Sequence, residues 1–214
     1  MPKIKMDKPR LTSSLKNEEF HEIHLREEPY LSDCIISNCT VVRENIVRAD
    51  FSNVIFKNVI FDDVTFRNIE LTDVIFENCD LSNVDFSEGV IHRVEFKESK
   101  MLGMNFADAN LGNVHFENCI LNLSSFGYGS LKQVGFKDCS LRNADYYECQ
   151  FKKVGFYQCD LNEVNFSRTP LKGIDISTST FERISVSLED LKGCEVSTDQ
   201  AIGFAQLLGL KIIK

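Results

Sequence analysis

Eight cysteines, four histidines and thirty-two acidic residues are the side chains of this 214-residue chain that could carry chemistry. Thiols at metal-binding or redox spacing would come as CxxC pairs, and none occurs, so zinc or a dithiol couple is not expected. Instead Cys34, Cys39, Cys79, Cys119, Cys139, Cys149, Cys159 and Cys194 all leave remainder four on division by five. Cys119, Cys139 and Cys159 recur every twenty residues, close enough on successive turns for a disulfide to be conceivable. Side chains in register point the same way rather than at each other, so the expectation is reduced thiols acting as small hydrophobes. His21 and His24 could share a helix face as a weak metal pair, while His92 and His115 fall at outward positions. No phosphate-cradling glycine loop, nucleophile elbow or convergent acid pair is present. No catalytic residue, metal or cofactor is therefore assigned, and an enzyme is not expected.

The cysteine spacing points to the element that must position everything else. Positions leaving remainder one on division by five, from Leu31 to Val186, are thirty-two residues without a polar member. Fifteen of the seventeen phenylalanines lie in this register, the exceptions being Phe20 and Phe204. Two residues earlier in each pentad the side chains are mostly small or β-branched, as in Ala49, Val54, Val59 and Val64. A helix needs spacings of three and four, and an ordinary strand needs two, so the chain must turn a corner every five residues. At period twenty, Phe56, Phe76, Phe96, Phe116, Phe136 and Phe156 form one column. Phe66, Phe86, Phe106, Phe126, Tyr146 and Phe166 form another two corners away, with leucine-dominated faces between them. Asp or Asn just before the central residue, as at Asp80, Asp85, Asn105, Asp145, Asp160 and Asn165, is suited to bonding local backbone N–H groups.

Ala109-Asn110-Leu111, Val84-Asp85-Phe86, Cys159-Asp160-Leu161 and Val164-Asn165-Phe166 resemble the A(D/N)L core of pentapeptide-repeat proteins. The resemblance implies an all-β solenoid: a right-handed quadrilateral β-helix of about eight coils with a short C-terminal α-helical cap. The frame divides the chain into an N-terminal cap at 1–30, the β-helix at 31–186, and a C-terminal helix and strand at 187–214. Glu44 is a charge in an inward slot, so the first coil is expected to be irregular before about Ala49. Ser187 and Ser197 both read as helix N-caps, with a helix at about 198–208 followed by an apolar strand, 210–213.

The tail SVSLEDLKGCEVSTDQAIGFAQLLGLKII is similar to the end of Qnr-type pentapeptide-repeat proteins. That resemblance implies a homodimer through the tail, here through Ile202, Phe204, Leu207, Leu208, Leu210 and Ile212. It also implies imitation of duplex DNA and binding to DNA gyrase and topoisomerase IV, with quinolone resistance; the unbroken frame matches the loop-free members. The net charge of −8 disfavours direct nucleic-acid binding. No stretch is long enough to span a membrane, and the basic start lacks a secretory apolar run, so a cytoplasmic protein is expected.

Charge tests the mimic. Duplex DNA carries one charge per about 1.7 Å, so a rod of about 40 Å would need roughly 23. Residues 31–186 hold 22 acids and 15 bases, a net of −7. Uniform mimicry falls short about threefold, and segregation must supply the field. The face with Asp85, Glu88, Asp108, Asp145 and Glu148 is the expected partner surface, with Arg48, Arg67 and Arg168 toward its ends. A second face runs from Asp33, Asp50, Glu70 and Asp73 to Lys132, Lys152, Lys153 and Lys172. The alternative is a scaffolding interaction module with no topoisomerase role.

Overall fold

The computed structural model describes residues 4–209 and is a four-sided β-solenoid. Its strands in chain order are β1 (Lys16–Asn17), β2 (Tyr30–Ser37), β3 (Thr40–Val42), β4 (Asp50–Lys57) and β5 (Ile60–Asp62). They continue as β6 (Glu70–Glu77), β7 (Val90–Lys97), β8 (Asn110–Glu117), β9 (Ser130–Lys137) and β10 (Gln150–Tyr157). The main sheet runs β1-β2-β4-β6-β7-β8-β9-β10, and each of β2 to β9 in that order pairs in parallel with a residue twenty further on: Leu31 with Phe51, Val54 with Val74, Phe116 with Phe136. Every turn of the solenoid is thus four pentads.

The corners are made by a backbone feature that composition alone conceals. Residues two after each central position adopt positive φ, from Asp33 (55°) through Asn58 (53°) and Asn118 (54°) to Arg168 (60°). This left-handed conformation is cheapest for Gly, Asn and Asp, and many corners carry them. Cross-coil amide ladders add to it: Asn78 Nδ2 donates to Asn58 Oδ1, and Asn58 Nδ2 to Asn38 Oδ1, each at 2.8 Å. On two other faces the Asx turns form as expected, Asp80 Oδ1 accepting Ser82 N at 3.0 Å and Asn165 Oδ1 accepting Ser167 N at 3.0 Å.

Inside, Phe56, Phe76, Phe96, Phe116, Phe136 and Phe156 have no exposed surface and stack face to face, successive rings 4.8–5.1 Å apart and within 7° of parallel. The coil spacing of a β-sheet imposes this distance. The opposite column stacks the same way only from Phe106 onward; Phe66, Phe86 and Phe106 meet tilted or edge-on. The two columns touch edge to face, as Phe116 does with Phe106 and Phe126, which suits the aromatic quadrupole. Tyr146 replaces Phe in the second column, fully buried with its hydroxyl unpartnered among the described residues. Tyr146→Phe is therefore expected to leave stability unchanged or raise it by about 1 kcal/mol in denaturant unfolding. A clear loss would mean that the hydroxyl is bonded after all.

The regular turns number about seven rather than eight. From β4 onward each strand of the main sheet donates its first N–H to the preceding coil, as Gln150 N does to Gly129 O. The next residue in that series is Pro170, which has no N–H, and the sheet stops at β10. The chain continues as bonded turns, with Phe181, Ile184 and Val186 half-buried.

The first coil is regular, contrary to the expectation from Glu44. Its backbone carries the same bonds to the next coil as later coils do, Thr65 N to Glu44 O among them. The carboxylate is part-exposed at the end of the rod and meets His24 Nε2 at 3.0 Å. His24 lies on a 3₁₀ turn, Phe20–Leu25, which buries Phe20 and Ile23 over the first coil, with Phe20 against Phe51, Phe61 and Phe66. Before it, residues 4–12 form an extended strap along one corner. Thr12 N, Arg10 N and Asp7 N donate to Asn53 Oδ1 (3.0 Å), Asp73 Oδ1 (2.9 Å) and Asn113 Oδ1 (2.9 Å). Gln133 Nε2 donates to Lys5 O at 2.9 Å. One strap thus crosses several coils against the direction in which the solenoid grows.

Candidate protein-binding face

Asp85, Glu88, Asp108, Asp145 and Glu148 project from one face, the one backed by the second aromatic column. Adjacent coils bring Asp85 beside Asn105 and Asp145 beside Asn165. Their surroundings differ. Asp85 and Asp145 each accept a backbone N–H two residues on, from Ser87 at 2.9 Å and Tyr147 at 3.2 Å. Each also accepts an amide from the next coil, Asn105 Nδ2 at 2.9 Å and Asn165 Nδ2 at 2.8 Å. Glu88 and Glu148 sit at corners and are paired with arginines. Arg67 binds Glu88, and Arg168 Nη1 donates to Glu148 Oε1 at 2.6 Å. These guanidinium bonds hold both carboxyls below the ordinary glutamate range. Asp108 is the member of the set with neither an arginine nor a turn bond among the described residues. Arg67 and Arg168 thus bond the two glutamates, and the carboxylates without an ion pair among the described residues are Asp85, Asp108 and Asp145.

Three apolar groups that the sequence reading did not select stand on the middle coils of this face, at or beside its corners. Leu123 and Tyr128 are 60% and 58% exposed, and Tyr147 meets Tyr128 edge-on at 5.5 Å between ring centroids. The Arg168 guanidinium lies 5.6 Å over the Tyr147 ring. The signal was available in the corner register, where Leu123 (φ 62°) and Tyr128 (φ 60°) stand among polar and charged residues.

The second, charge-polarised face is partly covered, because the strap runs along the corner holding Asn53, Asp73, Arg93, Asn113 and Gln133. There Arg93 grips Asp73 with two bonds of 2.6 and 2.7 Å.

At the far end, α1 (Thr198–Phe204) begins in a capping box: Gln200 N donates to Ser197 Oγ at 3.2 Å, and Ser197 N to Gln200 Oε1 at 2.9 Å. The same Gln200 donates Nε2 to Ile176 O and Ser179 O, fastening the helix to the last turn. The helix passes into a 3₁₀ turn, Ala205–Leu208. Ser187 caps a bonded turn rather than a helix, with Asp190 N on Ser187 Oγ at 3.1 Å and Gly193 at φ 79° closing it. Phe204 turns inward onto Phe181, 5.6 Å between centroids, while Ile202 and Leu207 remain about half exposed. The Leu208 side chain, Leu210, Ile212 and the expected strand at 210–213 lie outside the described residues.

The cysteines occupy the small inward slot but are more than fillers there. Cys79, Cys119, Cys139, Cys149 and Cys159 each direct Sγ to a carbonyl twenty-three residues earlier, at 3.1–3.5 Å. Thr169 and Ser179 use the same slot for the same bond. Burial pushes the thiols of Cys34 and Cys149 up to about 12 and that of Cys79 up to about 11, so these sulfurs stay protonated. Among the described residues no three His, Cys, Asp or Glu side chains gather as metal ligands, and no helix is long and apolar enough to cross a membrane.

Comparison with known proteins agrees with the architecture. No curated protein matches the chain by sequence. Among solved structures, a trypsin-treated form of QnrB1, a plasmid-mediated fluoroquinolone resistance protein, is 20% identical, covering 84% of this chain and 97% of its own, with a TM-score of 0.43. HetL, a pentapeptide-repeat protein involved in heterocyst differentiation regulation from the cyanobacterium Nostoc, is 13% identical over 78% of this chain and 86% of its own, TM-score 0.37. A pentapeptide-repeat protein of the Arabidopsis thaliana thylakoid lumen is 22% identical over 44% of this chain and 69% of its own, TM-score 0.26. The family description "Pentapeptide repeats (8 copies)" matches residues 49–88, and "Pentapeptide repeat region" matches 69–134 and 129–201. With its five-residue frame, its four-cornered coils and these matches over most of its length, the chain belongs to the pentapeptide-repeat family.

Proposed function

We propose that this protein is a non-enzymatic binding rod that presents a DNA-like acidic face to the basic DNA-binding surface of a type II topoisomerase, DNA gyrase or topoisomerase IV. The observation that carries the reading is the alignment of Asp85, Glu88, Asp108, Asp145 and Glu148 on one face, three of them without an ion pair among the described residues. The similarity of the tail to Qnr-type proteins supports the same partner. It also supports a dimer through the exposed Ile202 and Leu207, together with Leu208, Leu210 and Ile212, and with Phe204 as the inner side of that seam. Two rods end to end would span about 80 Å, some 23 base pairs at 3.4 Å each.

The structure suggests how to test the charge without damaging the fold. Lysine at Asp85 or Asp145 would remove an Asx turn, whereas Asn keeps the accepting oxygen. The triple variant Asp85→Asn, Asp108→Asn, Asp145→Asn is expected to inhibit gyrase supercoiling at least tenfold less well than the parent protein, with and without a fluoroquinolone, at unchanged melting temperature. Equal inhibition by parent and variant would sink the electrostatic reading. No inhibition by the parent, dimeric by light scattering, would favour the second reading, a scaffolding module. The Arg67–Glu88 and Arg168–Glu148 pairs support that alternative, because they cancel charge a mimic would display.

A further inference from the structure

We infer that Leu123, Tyr128 and Tyr147, with Asp108 and Glu148, form the specificity centre of the acidic face, built to take an arginine side chain from a basic protein surface. This deepens the proposed function and rests on it for the identity of the partner, though not for the chemistry.

The first argument is conformational. Leu123 and Tyr128 are the apolar and aromatic residues among twenty-seven non-glycine side chains held at positive φ. A bulky side chain is disfavoured in that region, where Asn or Gly sits at less cost. Both are largely exposed, so neither repays the strain by packing in the core. Strain retained at consecutive corners with no structural return points outward, to something that touches them.

The second argument is that the face already holds one guanidinium in this way. Arg168 stacks over the Tyr147 ring at 5.6 Å while donating to Glu148 Oε1 at 2.6 Å, an aromatic face and a carboxylate shared by one cation. One rung back along the corner ladder, Tyr128 and Asp108 present the same two groups to solvent. The surroundings keep that ground open. Ala107 and Gly127 beside it are small and carry no long side chain over the Tyr128 ring. The result is a tyrosine pair with Asp108 and Glu148 on its own corner ladder and Leu123 at the next corner of the same face. A planar guanidinium satisfies both the ring and the carboxylate, which a lysine ammonium does less well.

Two measurements on the full chain separate this inference from the reading beneath it. In the first, octa-arginine and octa-lysine are titrated against the protein at low salt, read by tyrosine fluorescence, the chain having no tryptophan. Octa-arginine is expected to bind at least fivefold more tightly, and Tyr128→Asn combined with Leu123→Asn to abolish the difference. Asn is at home at these corners, so the variant should melt no lower than the parent, and Tyr128→Phe should retain binding. Equal affinity for the two peptides, or an unaffected double variant, overturns the inference whatever gyrase does. In the second, the double variant is expected to inhibit gyrase at least tenfold more weakly. Full inhibition by it would overturn the inference while leaving the acidic-face reading intact.

Discussion

Phe116→Ala is expected to lower the stability of the rod by about 3–5 kcal/mol, measured by denaturant unfolding. The ring is fully buried between Phe96 and Phe136, 4.8 Å from each, and takes the edges of Phe106 and Phe126. Collapse of the surroundings would soften the loss, but each neighbour is held by its own coil. The strands above and below Phe116 bond backbone to backbone at fixed spacing, so the cavity stays open. Phe181, half-buried at the end where the sheet has already stopped, is the internal control, and its alanine variant should lose well under half as much. Equal losses at the two positions would show that the coils relax freely and that the stacking has no special rigidity.

The second large effect is expected at Arg93. Its guanidinium binds Asp73 with two short bonds, the side chains only 17% and 14% exposed, and Asp73 also accepts Arg10 N from the strap. Arg93→Met should cost on the order of 2 kcal/mol, because it leaves a half-buried carboxylate with a single backbone donor. The Arg93 bonds hold Asp73 below the ordinary carboxylate range, with the Arg10 N–H adding to the effect. A depressed carboxyl contributes stability that is present above the unfolded value, about 3.9, and lost as pH falls through the folded one. The parent protein should therefore lose this contribution only below about pH 4, and the gap between parent and Arg93→Met should narrow there. Amide exchange should also speed at Arg10 in the variant, since Asp73, the acceptor of its N–H, is no longer held in place by Arg93. A gap that stays constant down to pH 2 would show that the pair contributes through packing alone.

Much of the architecture was legible because it is periodic. An unbroken apolar register from Leu31 to Val186 admits no other regular structure, and it located the Phe columns and the cysteine slots without reference to any contact. The Asx turns were readable too, since Asp and Asn stand at a constant offset from each central residue. What periodicity could not show was where the pattern is cut by one missing donor. Pro170 ends the sheet a coil early for want of an N–H, and the apolar register runs on past it. The strap was equally hidden, because residues 4–12 have no repeat and gain their partners from side chains of successive coils, Asn53, Asp73, Asn113 and Gln133.

The candidate face divides in the same way. Sequence by itself determined that five acids share one side of the rod, since side-chain direction follows from position in the pentad. It also determined that function must lie on outward residues, since nearly every inward position is occupied by core. Only the tertiary structure decided which charges remain uncompensated. Arg67 and Arg168 belong to coils adjacent to Glu88 and Glu148, and long side chains bridge one strand spacing in directions that register alone does not specify. The same is true of Tyr128 and Tyr147, nineteen positions apart in the chain and in edge-to-face contact, which become a pair only when one coil is laid upon the next.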